Sequence, residues 1–354
     1  MLGKNINIPR VVALLRLLAI TNAAVAGQRS RSTKIEDRGV NSSPHYQPVL
    51  QAFGADFLSH FTTFTGADPT HGFINYTDMA FAQEQGYVRA NFNHDLNKST
   101  AYIGMDDSTT AGIGRNSVRL SSKLNFTINS LFVMDVAHVP AAWGQWSSFW
   151  LLGQDGGWPY SGEIDIFESV HESTSNTITL HTGPGCTVTN DPAAAIGTLI
   201  ETNCNAGNAN NGCSTIAPST ITDNKVNTAG KAFNNQGGAV FVTEWTTSGI
   251  DIWMFSRQAV PGSLNAMVPD TTGWPKPVAH FSGSNCDFSK AFRQMQLIIN
   301  IDACGDWAGQ VWQSSGAAAA TGINTCADYV KNHPEAFKEA YFEFLSLTVY
   351  TKGL

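Results

Sequence analysis

Tyr341-Phe342-Glu343-Phe344-Leu345-Ser346-Leu347-Thr348-Val349-Tyr350 has the period-two mixture of apolar and polar side chains expected of a strand with one face in a core. Leu131-Phe132-Val133-Met134-Asp135-Val136-Ala137-His138-Val139 alternates less regularly, and Ile250-Asp251-Ile252-Trp253-Met254-Phe255 reads as a two-faced strand. Further strands are expected at Tyr87–Asn93, Ser117–Ser121, Ser147–Leu152, Thr177–Thr182, Ala239–Trp245 and Met295–Ile301, separated by Gly, Asn and Pro clusters. Helix is expected only at Ala327–Asn332 and Glu335–Ala340, on either side of Pro334. The pattern predicts an all-β chain built as a large sandwich of two antiparallel sheets.

Composition agrees with a folded body. Of 354 residues, 42% are hydrophobic and 14% charged, which supplies a core and excludes a solvated, disordered polymer. The formal net charge of −7 gives no cationic footprint for nucleic acid or an anionic membrane surface. Nine tryptophans among so few charges point to a neutral, hydroxyl-rich partner such as sugar, although many tryptophans belong in any core.

Lys4 and Arg10 precede an apolar run that leads to Ala24-Val25-Ala26, the pattern of a secretory signal peptide over residues 1–26. Residues 27–48 are polar and read as a flexible leader. Residues 49–354 lack linkers and repeats, and are expected to form one domain. Four Asn-x-Ser/Thr patterns, at Asn41, Asn75, Asn97 and Asn125, agree with export. So do Cys186, Cys204, Cys213, Cys286, Cys304 and Cys326, an even set without zinc spacing. Three disulfides are expected, with fifteen pairings open. A secreted protein without a membrane anchor, and a monomer, is the expectation.

The chemistry concentrates in Gly162-Glu163-Ile164-Asp165-Ile166-Phe167-Glu168. In a regular strand Glu163 and Asp165 share a face with Ile164 and Ile166 opposite, and Glu168 breaks the parity. One extra residue near Ile166-Phe167, a β-bulge, would return Glu168 to the acidic face. Three like charges on one strand repel and divide into protonated and ionised members. A solvent-exposed acidic face or a Ca²⁺ loop is the alternative, but the segment lacks interleaved Lys or Thr and has no closely spaced ligand loop. The division suits retaining glycoside cleavage, which uses one carboxylate and one carboxylic acid about 5–5.5 Å apart.

Trp158-Pro159-Tyr160-Ser161-Gly162-Glu163-Ile164-Asp165-Ile166-Phe167-Glu168 resembles the active-site signature of glycoside hydrolase family 16 in its bulged form. The resemblance extends to Phe149-Trp150, Thr179 through Cys186, Thr243-Glu244-Trp245 and Cys304 through Gly309. It covers roughly Phe57 to Tyr350 and is strongest toward secreted fungal endo-β-glucanases of the laminarinase and mixed-linkage type. It implies a β-jelly-roll sandwich with an open cleft, Glu163 as nucleophile, Glu168 as acid/base, and Asp165 assisting between them. It implies a β-1,3- or mixed β-1,3/1,4-glucan substrate and no metal or organic cofactor. A cell-wall transglycosylase and a non-catalytic glucan-recognition protein are the other readings of the same scaffold.

Trp150, Trp158 and Trp307 are candidate sugar-stacking platforms, with Asp306 beside Trp307 as a further substrate contact. His181 shares a strand face with Thr177 and Thr179, and is either a substrate-side or a structural histidine. Arg119, opposite in parity to Val118 and Leu120, is a sugar hydrogen-bond donor or a surface arginine. Trp146 is left undecided, and Trp143, Trp245, Trp253, Trp274 and Trp312 are taken as core or periphery. The Asn- and Gly-rich segment 183–238 is expected to be a long loop beside the cleft.

Overall fold

Strand parity decides which side chains meet between the sheets. In a computed structural model, which describes residues 45–207 and 211–353, two eight-stranded antiparallel sheets pack face to face. One sheet runs, edge to edge, through Thr198–Leu199, Cys213–Ile216, Thr177–His181, Glu163–Val170, Gln145–Gly153, Met295–Ala303, Arg119–Phe126 and Phe61–Thr63. The other runs through Ala279–Ser282, Gly249–Phe255, Ala239–Thr246, Ser130–His138, Tyr341–Thr351, Lys98–Gly104 and Val88–Asn93, and Gln47–Phe53 pairs with the far half of Tyr341–Thr351. The two-sheet expectation holds. The domain's first strand starts at Gln47, two residues before its expected boundary. The expected signal peptide, residues 27–44 of the expected leader and Asn41 lie outside the described residues.

Phenylalanines fill the space between the sheets. Phe149 stacks on Phe167 with centroids 5.2 Å apart and meets Phe241, Phe342 and Phe344 of the opposite sheet edge-on at 5.0, 5.9 and 5.8 Å. Leu151, Ile164, Ile178, Leu180, Leu297, Ile299 and Ile301 continue that inner face, all fully buried. Burying each such side chain stabilises the fold by about 1.5–3 kcal/mol. The Tyr341–Thr351 strand carries its own bulge. Phe344 pairs with Val136 and Ser346 with Asp135, so Leu345 is the extra residue and the inward set changes from Phe342 and Phe344 to Leu347 and Val349.

The second sheet's other face is also apolar in part. Leu131, Val240, Val242, Trp253, Phe255 and Tyr350 form a smaller cluster that Leu264 and Trp274 cover. Trp245, Trp253 and Trp312 are buried, as the sequence reading expected.

Segment 183–238 differs from the expected loop. Its Cys213–Ile216 strand joins the first sheet beside Thr177–His181, and Thr198–Leu199 adds a further strand. Short strands at Thr220–Ile221 and Val226–Asn227 and a helix at Gly230–Asn235 complete it. Its polar composition hid these elements because they are short and their pairing is non-local. The Cys326–Asn332 helix forms where expected, but Pro334–Phe337 is a single 3₁₀ turn rather than a longer helix. The three disulfides are Cys186–Cys286, Cys204–Cys213 and Cys304–Cys326. No described helix is long and apolar enough to cross a membrane.

Candidate active site

The outer face of the first sheet gathers the polar side chains that its core-facing parity excludes. The Glu163–Val170 strand is bulged as its sequence demands: Asp165 pairs with Trp150 and Phe167 with Phe149, leaving Ile166 unmatched. On its other side Asp165 pairs with Thr179 and Glu168 with Thr177, the same one-residue shift. Glu163, Asp165 and Glu168 therefore share one face while Ile164, Ile166 and Phe167 are buried in the core. Gly162 makes the strand's entry possible. Its φ is +83°, and a Cβ there would lie 2.4 Å from the carbonyl oxygen of Ala291.

The three carboxyls are not equivalent. Asp165 is buried, and burial, then the charge of Glu163 and a hydrogen bond to it, hold its carboxyl well above the usual carboxylate range. Asp165 holds its proton more firmly than an ordinary carboxyl and shares it with Glu163 in that hydrogen bond. Trp158 Nε1 donates to Glu163 as well, through Oε2. Glu168 is pushed up to about 8, first by desolvation and then by the charge of Asp165; a hydrogen bond from Trp146 works in the opposite direction. Trp146 Nε1 donates to Glu168 Oε1 at 2.7 Å. The face thus pairs a hydrogen-bonded acceptor, Glu163, with an acid that keeps its proton at neutral pH.

His181 stands beside this group, with Nε2 3.1 Å from Asp165 Oδ2 and its ring 6.2 Å from that of Trp158. Glu163, Asp165 and His181 have the elements of a metal ligand set, with one ligand atom each within 4.8 Å of the others.

The remaining sequence candidates divide. Trp158 is 55% exposed and offers an open ring beside Glu163. Trp150 is only 8% exposed, with Nε1 donating to Asn300 Oδ1 at 2.7 Å, so it forms floor more than platform. Arg119 is not a surface arginine. Its guanidinium carbon lies 4.9 Å from the Trp150 ring centroid and 5.1 Å from that of Phe64, in the same floor. Trp307 is partly buried, edge-on to Trp146 at 6.0 Å, in the short helical turn Gly305–Gly309. Asp306 in that turn is exposed and bonded to His71 Nδ1 at 2.9 Å.

Sequence reasoning missed several groups. Trp146 has the parity of Trp150 and so lies on the acidic face. Asn300 accepts from Trp150 and Ser148 and donates to Tyr76 Oη at 3.3 Å. Asp302, paired with Trp146, is buried, and desolvation followed by the charge of Asp68 holds it well above the usual range. The alternation Gln296, Ile298, Asn300, Asp302 in an otherwise apolar strand was the available signal.

A family model described as the XgeA-like, catalytic GH16 domain matches residues 61–350. The chain belongs to glycoside hydrolase family 16. An Aspergillus fumigatus protein named "Probable endo-1,3(4)-beta-glucanase" is 35% identical over 345 residues, which is 96% of this chain and 50% of that protein. The chain thus spans about half the length of the curated relatives it matches most fully. Laminarinase 16A of Phanerochaete chrysosporium, solved with two β-glucans in donor and acceptor sites, superposes with a TM-score of 0.77 at 37% identity, covering 86% of this chain and 99% of that one. A solved elongating family 16 β-1,3-glucosyltransferase gives a TM-score of 0.76 at 34% identity, covering 86% and 100%. The sandwich is accordingly the jelly roll of the family 16 laminarinases.

Proposed function

We propose that this family 16 chain is a secreted, monomeric endo-β-glucanase that hydrolyses β-1,3- and mixed β-1,3/1,4-glucans with retention of anomeric configuration. The observation that carries the reading is the bulge that sets a proton-holding Glu168 on the same strand face as Glu163. Glu163 attacks the anomeric carbon while Glu168 gives its proton to the departing glycosidic oxygen. A glycosyl ester on Glu163 and a shortened chain with a free hydroxyl result. Water then passes a proton to the Glu168 carboxylate, its oxygen bonds to the anomeric carbon, and the Glu163 carboxylate leaves. Asp165 shares a hydrogen bond with Glu163, and its raised carboxyl limits the negative charge that the cluster carries. Trp158 and Trp307 stack on pyranose faces, and His181, Asp306 and Arg119, with the floor at Trp150, take sugar hydroxyls.

Support for the substrate comes from the relatives named for 1,3(4)-β-glucan and from laminarinase 16A with its bound glucans. A second reading has its own support in the elongating glucosyltransferase. There a sugar hydroxyl replaces water on the same glycosyl ester. Product analysis on laminarin, lichenan, cellulose and xyloglucan separates the two. Short oligosaccharides from laminarin and lichenan, with the β-anomer formed first in the proton spectrum, are expected. Products longer than the substrate would favour transfer, and an initial α-anomer would remove the retaining mechanism.

Trp146→Phe tests the bond to Glu168. That bond favours the ionised form, so its loss raises the Glu168 carboxyl further above about 8. The alkaline limb of kcat/KM is expected to move to higher pH and laminarin turnover to fall by about tenfold. A limb that stays in place would show that Trp146 does not bear on the acid's ionisation.

A further inference from the structure

The extra residue that returns Glu168 to the acidic face is held by one side chain that carries no charge. Asn176 is fully buried and immediately precedes the Thr177–His181 strand. Its Nδ2 donates to the carbonyl oxygen of Ile166 at 2.9 Å, and its Oδ1 accepts from the backbone N–H of Glu168 at 2.9 Å. Ile166 is the residue without a partner in the Gln145–Gly153 strand. The side-chain amide therefore replaces the peptide group that the ladder lacks at the bulge. Asn176 is itself anchored: its N–H donates to Thr228 Oγ1 at 3.3 Å, that hydroxyl donates to Pro218 O at 2.7 Å, and Asn176 O accepts from Ala217 N at 2.9 Å.

We propose that Asn176 is the positioning residue for the acid/base: it fixes the bulge and so aims the Glu168 carboxyl across the face toward Glu163. This rests on the reading of Glu168 given above. The requirement is for one donor and one acceptor on a short side chain. Alanine leaves two buried backbone groups unpaired. An ionised aspartate sets an oxygen against the Ile166 carbonyl, whereas a protonated one restores both bonds. Asn176→Asp should consequently be impaired in a way that acid repairs.

The test compares Asn176→Ala, Asn176→Asp and Glu168→Gln on laminarin and on 2,4-dinitrophenyl β-laminaribioside, whose leaving group departs without a proton. Asn176→Ala is expected to lower laminarin kcat by ~10–100-fold with KM within about twofold, and to leave kcat/KM for the aryl glycoside, which reports only the steps up to the glycosyl ester, within about threefold of wild type. Asn176→Asp, measured as a ratio to wild type at each pH, is expected to approach wild type on laminarin at acid pH and to fall away as pH rises past the ionisation of the new carboxyl, which burial places above the ordinary ~4. Equal losses of kcat/KM on both substrates, as a generally loosened fold gives, would overturn the proposal, as would unchanged laminarin turnover. If Asn176→Ala does not fold, the acid recovery of Asn176→Asp decides, and its absence overturns the proposal. If Glu168→Gln spares laminarin and the aryl glycoside alike, the acid/base reading fails and this inference falls with it. Glu168→Gln losing laminarin turnover selectively while both Asn176 variants stay wild type rejects the inference alone.

Discussion

Glu163→Ala is expected to lower laminarin turnover by ~10⁴-fold or more, and azide is expected to restore part of the cleavage of an activated aryl glycoside as the α-glycosyl azide. The substitution removes the acceptor for both Asp165 and Trp158 and leaves a space the size of a carboxylate beneath the anomeric carbon. Azide entering that space attacks from the side opposite the leaving group, and with a single displacement the configuration inverts. Glu168→Ala predicts the mirror outcome. An aryl leaving group needs no proton, so the glycosyl ester on Glu163 still forms, and azide resolves it from the opposite side to give the β-glycosyl azide. The anomeric proton coupling of the two azides is the measurement. Exchanged products would exchange the two roles, and no azide product from either variant would remove the covalent intermediate.

Strand parity made the catalytic face legible in sequence because a strand allows only two directions for a side chain. Glu163 and Asp165 followed from alternation, and Glu168 needed one added residue, which the register places at Ile166. The bulge at Leu345 is equally present in the change from Phe342 and Phe344 to Leu347 and Val349. Groups that came from other strands were harder. Trp146 meets Glu168 only because Gln145–Gly153 pairs with Glu163–Val170, and Asp302 meets Asp68 only through a loop folded onto the sheet. Asn176 had no signal at all in composition or spacing, since an asparagine before a strand ordinarily reads as a turn residue. The strands of segment 183–238 escaped for a related reason. They are two to four residues long, and their pairing depends on distant partners, not on local propensity.

The same arrangement that gives Glu168 its proton reduces the stability of the fold, and this fixes the second large effect. Its carboxyl has an ordinary value of 4.5 and is pushed up to about 8 in the folded chain. Below pH 4.5 both folded and unfolded chains hold the proton, and the group contributes no difference. Between 4.5 and 8 the unfolded chain has released a proton that the native chain retains, so stability falls as pH rises through that window. Glutamine stays neutral throughout, and its side-chain oxygen can still accept from Trp146 Nε1. Glu168→Gln should therefore melt with wild type near pH 4.5 and a few degrees above it at pH 8. That gap is on the order of 2 kcal/mol, less than the full pKa difference because Glu168 keeps part of its surface open to the cleft. Laminarin kcat of the same variant should fall by ~10²–10⁴. In wild type, kcat/KM on laminarin should decline as pH rises through about 8, where the acid loses its proton. Equal melting temperatures across the window, with an alkaline limb near pH 5, would mean that Glu168 ionises as it does in water. The bulge would then place a carboxylate, not an acid, opposite Glu163.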